Sequence, residues 1–214
     1  MSFLLDVSKT LIGAFFGAAF AFGVSAYQQR RQRQRDNKAA GNLATFVLSL
    51  HFNTLELIQR EIAPHRSFPA GMPPLEHILP PLTTLDVKSL SFLIDAGEGQ
   101  LIGEIAVAED AFRTAIDALQ FRNRLHIDQV QPLFEKAGFV PGASIDTIAV
   151  QRALGRRLYE SLILSSQQVV ELVDNAAKQT FDAGEKLNRA MRRKFPKAKV
   201  IVGFRSAGES KEVH

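Results

Sequence analysis

Cysteine is absent from this chain of 214 residues. That absence excludes disulfides, thiolate catalysis, cysteine-based zinc sites and iron–sulfur clusters together, and it is compatible with a reducing compartment. The histidines give no metal geometry. His51 falls in mid-helix near a polar edge, His65 and His77 fall in a proline-rich stretch, and none of the three has a partner four residues on. No nucleophile–base pair can be picked out. No cofactor, no metal and no evident catalytic site are therefore expected. There is no internal repeat, and acidic residues are missing altogether from residues 186–205.

What is present is a globular composition, 46% hydrophobic and 22% charged, in a length that suits one domain plus an appendage. The net charge of +4 hides a division. Residues 30–38 carry five basic groups (Arg30, Arg31, Arg33, Arg35, Lys38) against Asp36, and residues 186–205 carry eight, among them Arg192, Arg193, Lys194 and Lys197. Residues 39–185 hold eleven basic and eighteen acidic groups, a net of −7. An acidic body with two basic blocks points to an anionic partner, either lipid headgroups or nucleic acid. The second block lacks aromatic interleaving apart from Phe195 and Phe204, so nucleic acid is the less favoured of the two.

The longest uncharged run, Thr10 to Gln29, has twenty residues. As a helix it rises about 30 Å, the hydrocarbon thickness of a bilayer. A secretory signal carries its positive charge before the apolar core, whereas here Arg30–Lys38 follow it. The positive-inside rule then predicts a retained single-pass anchor in the cell membrane, with the N-terminus outside and the rest cytoplasmic. Within the run, Gly13, Gly17, Ala21 and Ser25 recur every fourth residue. Such a small-residue ridge lets two membrane helices approach closely and associate.

The remaining periodicity predicts an all-α fold: a single transmembrane helix followed by a bundle of three to four helices, the last one long. The expected parts are residues 1–29 (N-terminal segment and anchor), 30–62 (basic region and first helix), 63–84 (proline-rich connector), 85–195 (bundle) and 196–214 (basic tail). The first helix has apolar residues at Leu43, Phe46, Val47, Leu50, Leu57 and Ile58, with Gly41 as a weak spot, and Pro64 stops it. The connector is too apolar to float and should lie on the core. A short helix is expected at about Asp86–Asp95, then a longer one from about Gln100 to Gln129 with the stripe Leu101, Ile105, Ala108, Phe112, Ile116, Leu119. Residues 135–144 read as a loop. The last helix spans about Ile145–Arg193, with a break near Gly155 or Gly184 and a near-heptad seam at Leu158, Leu162, Ser165, Val169, Leu172 and Ala176. Residues 197–204 alternate like a strand but have no partner strand. Carboxylates Glu104, Glu109, Asp110 and Asp117 spread around their helix and read as surface.

In "FRNRLHID", Arg122 and His126 are four apart and share a helix face. A basic solvated face accounts for them. The pair also resembles the arginine–histidine pairs of the HEPN superfamily, whose motif has a longer interval than the three residues between Arg122 and His126. That resemblance implies ribonuclease chemistry by Arg122 and His126 across a dimer. The joining of anchor to bundle resembles CRISPR-associated membrane accessory proteins, which implies an oligomeric, membrane-perturbing or pore-forming effector of bacterial defence. The expectation from the residues themselves is a membrane-anchored protein working by self-association and protein contacts, a homo-oligomer with membrane lipids and an unidentified protein as partners.

Overall fold

The computed structural model describes residues 2–78, 80, 83–139 and 147–196, with side chains from Phe15 onward. Its first element is one unbroken helix, α1, Ser2–Ile62. No proline occurs before Pro64, so nothing removes a backbone donor or clashes with a carbonyl one turn back. At 1.5 Å per residue the rod is about 90 Å long. From Phe15 to Asp36 every residue except Ala26 is exposed, and burial begins in earnest at Gly41. The inward stripe of the packed half is Ala44, Val47, Leu48, Phe52, Leu55, Ile58 and Ile62. This corrects the single stripe expected from sequence. Val47 and Ile58 are core, but Leu43, Phe46 and Leu57 face outward, and Leu50 is half-buried.

After α1 the chain turns back through short 3-10 helices, Ala63–His65 and Pro69–Gly71. The connector lies on the core as expected, with Ala70, Met72, Leu75 and Ile78 buried. The short helix expected from Asp86 is a 3-10 helix, Val87–Leu93, and the Asp86 carboxylate accepts from the Lys88 amide at 3.1 Å. That bond satisfies one of the helix's unpaired donors. α2 follows, Gly99–Leu125, and all six residues of its expected stripe are buried. It passes into a π turn, His126–Val130, and then α3, Gln131–Lys136. Pro132 explains the widened turn, because its ring would meet the carbonyl four residues back in a regular α-helix.

α4, Thr147–Lys194, is bent at Gly155, whose φ of 70° and ψ of 159° suit glycine alone. The break expected near Gly155 is there, and Gly184 lies buried in regular helix. Leu162, Ser165, Val169 and Ala176 of the expected seam are buried, with Leu158 and Leu172 partly so. α4 runs antiparallel to α1. Met191 meets Gly41 at one end, while at the other Asp174 accepts from Gln59 at 2.9 Å and from both terminal nitrogens of Arg66 at 2.8 Å. The basic end of α4 therefore returns to the end of the bundle from which the exposed half of α1 projects. Three apolar layers stack along the bundle, the one nearest that projection joining α1, Val87–Leu93, α2 and α4.

Among the described residues no strand occurs, and no helix is long and apolar enough to cross a membrane. The anchor expected from sequence starts at Thr10, so its first side chains fall outside the description. The rest of the expected loop beyond Phe139, the alternating segment 197–204 and Lys197 also lie outside the described residues.

Gly41 is a point of close contact between α1 and the Met191 side chain of α4, since a Cβ there would stand 2.2 Å from Met191 Sδ. Overpacking a core costs about 1–3 kcal/mol, against about 1 kcal/mol that alanine gains over glycine in a helix. Gly41→Ala should therefore destabilise the full chain by on the order of 1 kcal/mol in urea unfolding. The same substitution should cost nothing further in a Met191→Ala background.

Candidate functional site

Arg122 and His126 do share a face, at the turn where α2 widens into the π helix. Arg122 is 0% exposed, which corrects the solvated basic face expected from sequence. Its guanidinium donates from Nη1 to the Pro73 carbonyl at 2.7 Å, from Nε to Ser166 Oγ at 3.2 Å, and from Nη2 to the Met72 carbonyl. The neighbouring Asn123 carboxamide oxygen accepts from the Leu75 amide at 3.1 Å. Two adjacent residues of α2 thus hold three backbone groups of the connector within Met72–Leu75, and Ser166 ties α4 to the same point. No carboxylate shares the Arg122 bonds, and burial lowers its pKa to about 10. His126 packs edge-on against Phe134, with ring centroids 6.2 Å apart. Burial first, and then the Arg122 charge, hold it neutral with a pKa of about 4.

Phosphate-ester cleavage by such a pair needs a guanidinium that reaches a phosphate and an imidazole that exchanges protons near neutrality. Here the guanidinium is committed to backbone carbonyls and the imidazole is held neutral. The geometry is that of a clamp on the connector.

A second polar cluster lies between α1 and α2, where the sequence had suggested surface. His51 is 1% exposed and Glu109 7%, correcting the polar edge and the surface carboxylate. The His51 ring stacks on Phe112 at 3.8 Å between centroids, with the planes 5° apart. Its Nε2 stands 3.3 Å from the Thr83 carbonyl and its Nδ1 3.4 Å from Glu109 Oε2. Glu109 Oε1 accepts from Arg113 Nε at 3.0 Å and Nη2 at 2.8 Å. Burial lowers the His51 pKa, and the Glu109 carboxylate works against that shift. No group of three metal-ligating side chains occurs among the described residues.

The other predicted residues are on the projecting half of the molecule. Gly17, Ala21 and Ser25 lie on the exposed length of α1, and a Cβ on Gly17 would meet nothing. Arg30, Arg31, Arg33 and Arg35 are exposed just beyond them, and Lys38 is half-buried. At the returning end of α4, Arg192 and Arg193 are exposed. Arg193 pairs with Glu98 at 2.5 Å, and Lys194 donates to the Phe92 carbonyl at 2.9 Å. Gln29 and Gly41, twelve residues apart, are separated by about 18 Å of helix. The described residues of the two basic blocks lie toward one end of the bundle, and Gly17, Ala21 and Ser25 lie beyond it on the exposed length of α1. A concavity of about 730 Å³ is an open groove beside the Gly155 bend, lined by residues that include Phe121, Leu125, Leu158 and Leu164.

The chain matches no family model, no curated protein and no solved structure. What it does has to be argued from these residues alone.

Two expectations follow. Arg122→Ala leaves the Met72 and Pro73 carbonyls without their donor, and buried polar groups so orphaned cost about 1–3 kcal/mol each. A loss of at least about 3 kcal/mol in unfolding free energy is expected, with Arg122→Lys recovering only part of it because an ammonium cannot reproduce the planar fork. The histidines set a pH dependence. Both have folded pKa values below the unfolded value of about 6.5, so the unfolded chain takes up their protons first. Their contribution is complete above pH 6.5 and is lost as pH falls toward about 4, the folded value of His126. His126→Gln should flatten that decline by up to about 2 kcal/mol, after allowing for the ring's remaining solvent contact.

Proposed function

We propose that this chain is a single-pass membrane protein. The apolar half of α1 anchors a cytoplasmic helical bundle that works by self-association and by contacts with protein, with no chemistry of its own. The observation that carries the reading is the unpartnered apolar rod. Phe15, Phe16, Phe20 and Phe22 are 71%, 67%, 76% and 77% exposed. At 100° per residue they share a sector of about 160°, and the opposite side carries Gly17, Ala21 and Ser25, so no side of the run from Thr10 to Gln29 bears a charge. A helix that docks against one protein surface needs one apolar face, whereas a helix apolar all round belongs in lipid or in the middle of a bundle. The uncharged run ends in Arg30, Arg31, Arg33 and Arg35, the arrangement that holds a flank on the cytoplasmic side.

The antiparallel return of α4 supports the same orientation. It turns Arg192, Arg193 and Lys194 toward the membrane end of the rod, about 18 Å of helix from the last residue of the uncharged run. Arg30, Arg31, Arg33 and Arg35, by contrast, directly follow that run and lie within the Debye length of about 8 Å over which anionic headgroups are felt. Each cation near such a surface contributes about 1 kcal/mol. Membrane lipid is thus the first partner of Arg30, Arg31, Arg33 and Arg35.

Full-length protein expressed in bacteria should remain in the membrane pellet after an alkaline carbonate wash, and its intact mass should include residues 1–29. Deletion of residues 10–29 should move it to the supernatant. Release of the unmodified chain by carbonate, or a mature species starting at Tyr27, would end this reading.

A further inference from the structure

The outward stripe on the packed half of α1 has a spacing that the bundle does not use. Leu43, Phe46, Leu50, Asn53, Leu57 and Arg60 follow one another at intervals of three and four, and apart from half-buried Leu50 all six are exposed. Leu43 is 58%, Phe46 47% and Leu57 43% exposed, while the residues between them turn inward to the core. An exposed helix face in a bundle ordinarily carries polar residues. This one carries four apolar residues out of six, at the a and d positions of a heptad seam.

The same face continues up the rod without a break. Ser25, Gln28, Gln32 and Ala39 each stand eighteen residues, or five turns, before Leu43, Phe46, Leu50 and Leu57. Of the five cations in the basic stretch, Arg30, Arg31, Arg33 and Lys38 lie off that line, and Arg35 alone falls on it, five turns before Asn53. Higher still, Ala21 stands thirty-six residues, or ten turns, before Leu57, and Gly17 the same distance before Asn53. From Gly17 onward, the small-residue ridge and the outward seam are therefore one face of one helix.

We propose that this face is where a second copy of the chain docks, its α1 lying parallel and in register against the first from Gly17 down to Leu57. The proposal rests on the anchored reading above, because two chains inserted by the same end into one bilayer can only meet in parallel. The size of the seam points to the same occupant. Leu43, Phe46 and Leu57, each about half exposed, offer on the order of 300 Å², short of the ~800 Å² per partner that a stable complex in solution buries. A soluble partner would be held weakly there. A second copy adds the close approach of Gly17, Ala21 and Ser25 in the membrane, and confinement to the bilayer raises its effective concentration.

The absence of cysteine makes the test clean. Single substitutions Leu43→Cys, Phe46→Cys, Leu50→Cys and Leu57→Cys would be made in the full chain, with Val107→Cys on α2 and Leu164→Cys on α4 as controls, both exposed at 57% and 65%. Each variant is reconstituted into phosphatidylcholine–phosphatidylglycerol vesicles and oxidised with copper–phenanthroline, and the unmodified chain is sized in mild detergent alongside. Disulfide-linked dimers several-fold more abundant at all four seam positions than at the controls are expected. Homodisulfides at four successive positions along one helix require a parallel, in-register pair. An oligomer in detergent whose crosslinks favour Val107 or Leu164, or appear at a single seam position only, would overturn the seam and leave self-association standing. A monomer with no crosslink anywhere would overturn both, while a chain absent from the vesicles would remove the anchor itself.

Discussion

Everything in this molecule hangs on the continuity of α1. A helix interrupted near Arg30 would leave an apolar segment and a bundle joined by a hinge, with no fixed relation between the faces of the two. Because the backbone ladder runs from Ser2 to Ile62 without a proline, rotation about the helix axis is fixed over about 90 Å. The side of the bundle that faces the same way as Gly17, Ala21 and Ser25 is therefore fixed. Gly41, at the junction, keeps that ladder intact while letting α4 come close enough for Met191 to fill the space.

The far end of the bundle is organised by a different means. The chain between α1 and α2 is rich in proline and cannot hold itself in place by a helical ladder. Its carbonyls at Met72 and Pro73 are held by Arg122 and its Leu75 amide by Asn123. A fully buried guanidinium without a carboxylate is costly to desolvate, yet its planar fork of donors can serve several carbonyls at once. Ser166 Oγ on α4 accepts from Arg122 Nε, so one side chain fixes the relation of connector, α2 and α4. Nearer the projecting end, the His51 ring of α1 stacks on Phe112 of α2 at 3.8 Å between centroids, so that a flat aromatic contact fixes the relation of the two helices there.

Much of the architecture is legible in the sequence. The stripe on α2 is visible because Leu101, Ile105, Ala108, Phe112, Ile116 and Leu119 all turn the same way, and a break in the last helix is legible at its glycines, although Gly155 and Gly184 are not told apart by sequence. The first helix was harder, for a physical reason. It has two apolar faces, and three-and-four spacing cannot separate Leu43, Phe46 and Leu57 from Val47 and Ile58 until a partner covers one set. Arg122, His51 and Glu109 were misplaced because charge is a strong prior for exposure. The signal that could have placed Arg122 lay elsewhere in the chain, in a proline-rich segment whose free carbonyls needed a buried donor. The direction of α4 could not be read at all, since it depends on how the connector folds back.

The central claim is that anchor and bundle form one rigid rod with a common face. It is most directly tested by the distance between spin labels at Tyr27→Cys and Arg60→Cys in the same chain, diluted with unlabelled protein in lipid vesicles and read by pulsed electron resonance. The two positions are thirty-three residues apart, so a continuous helix gives a narrow distribution centred near about 50 Å. A broad distribution reaching to much shorter distances would mean that the helix bends between the arginines and the bundle, and the shared face would not exist.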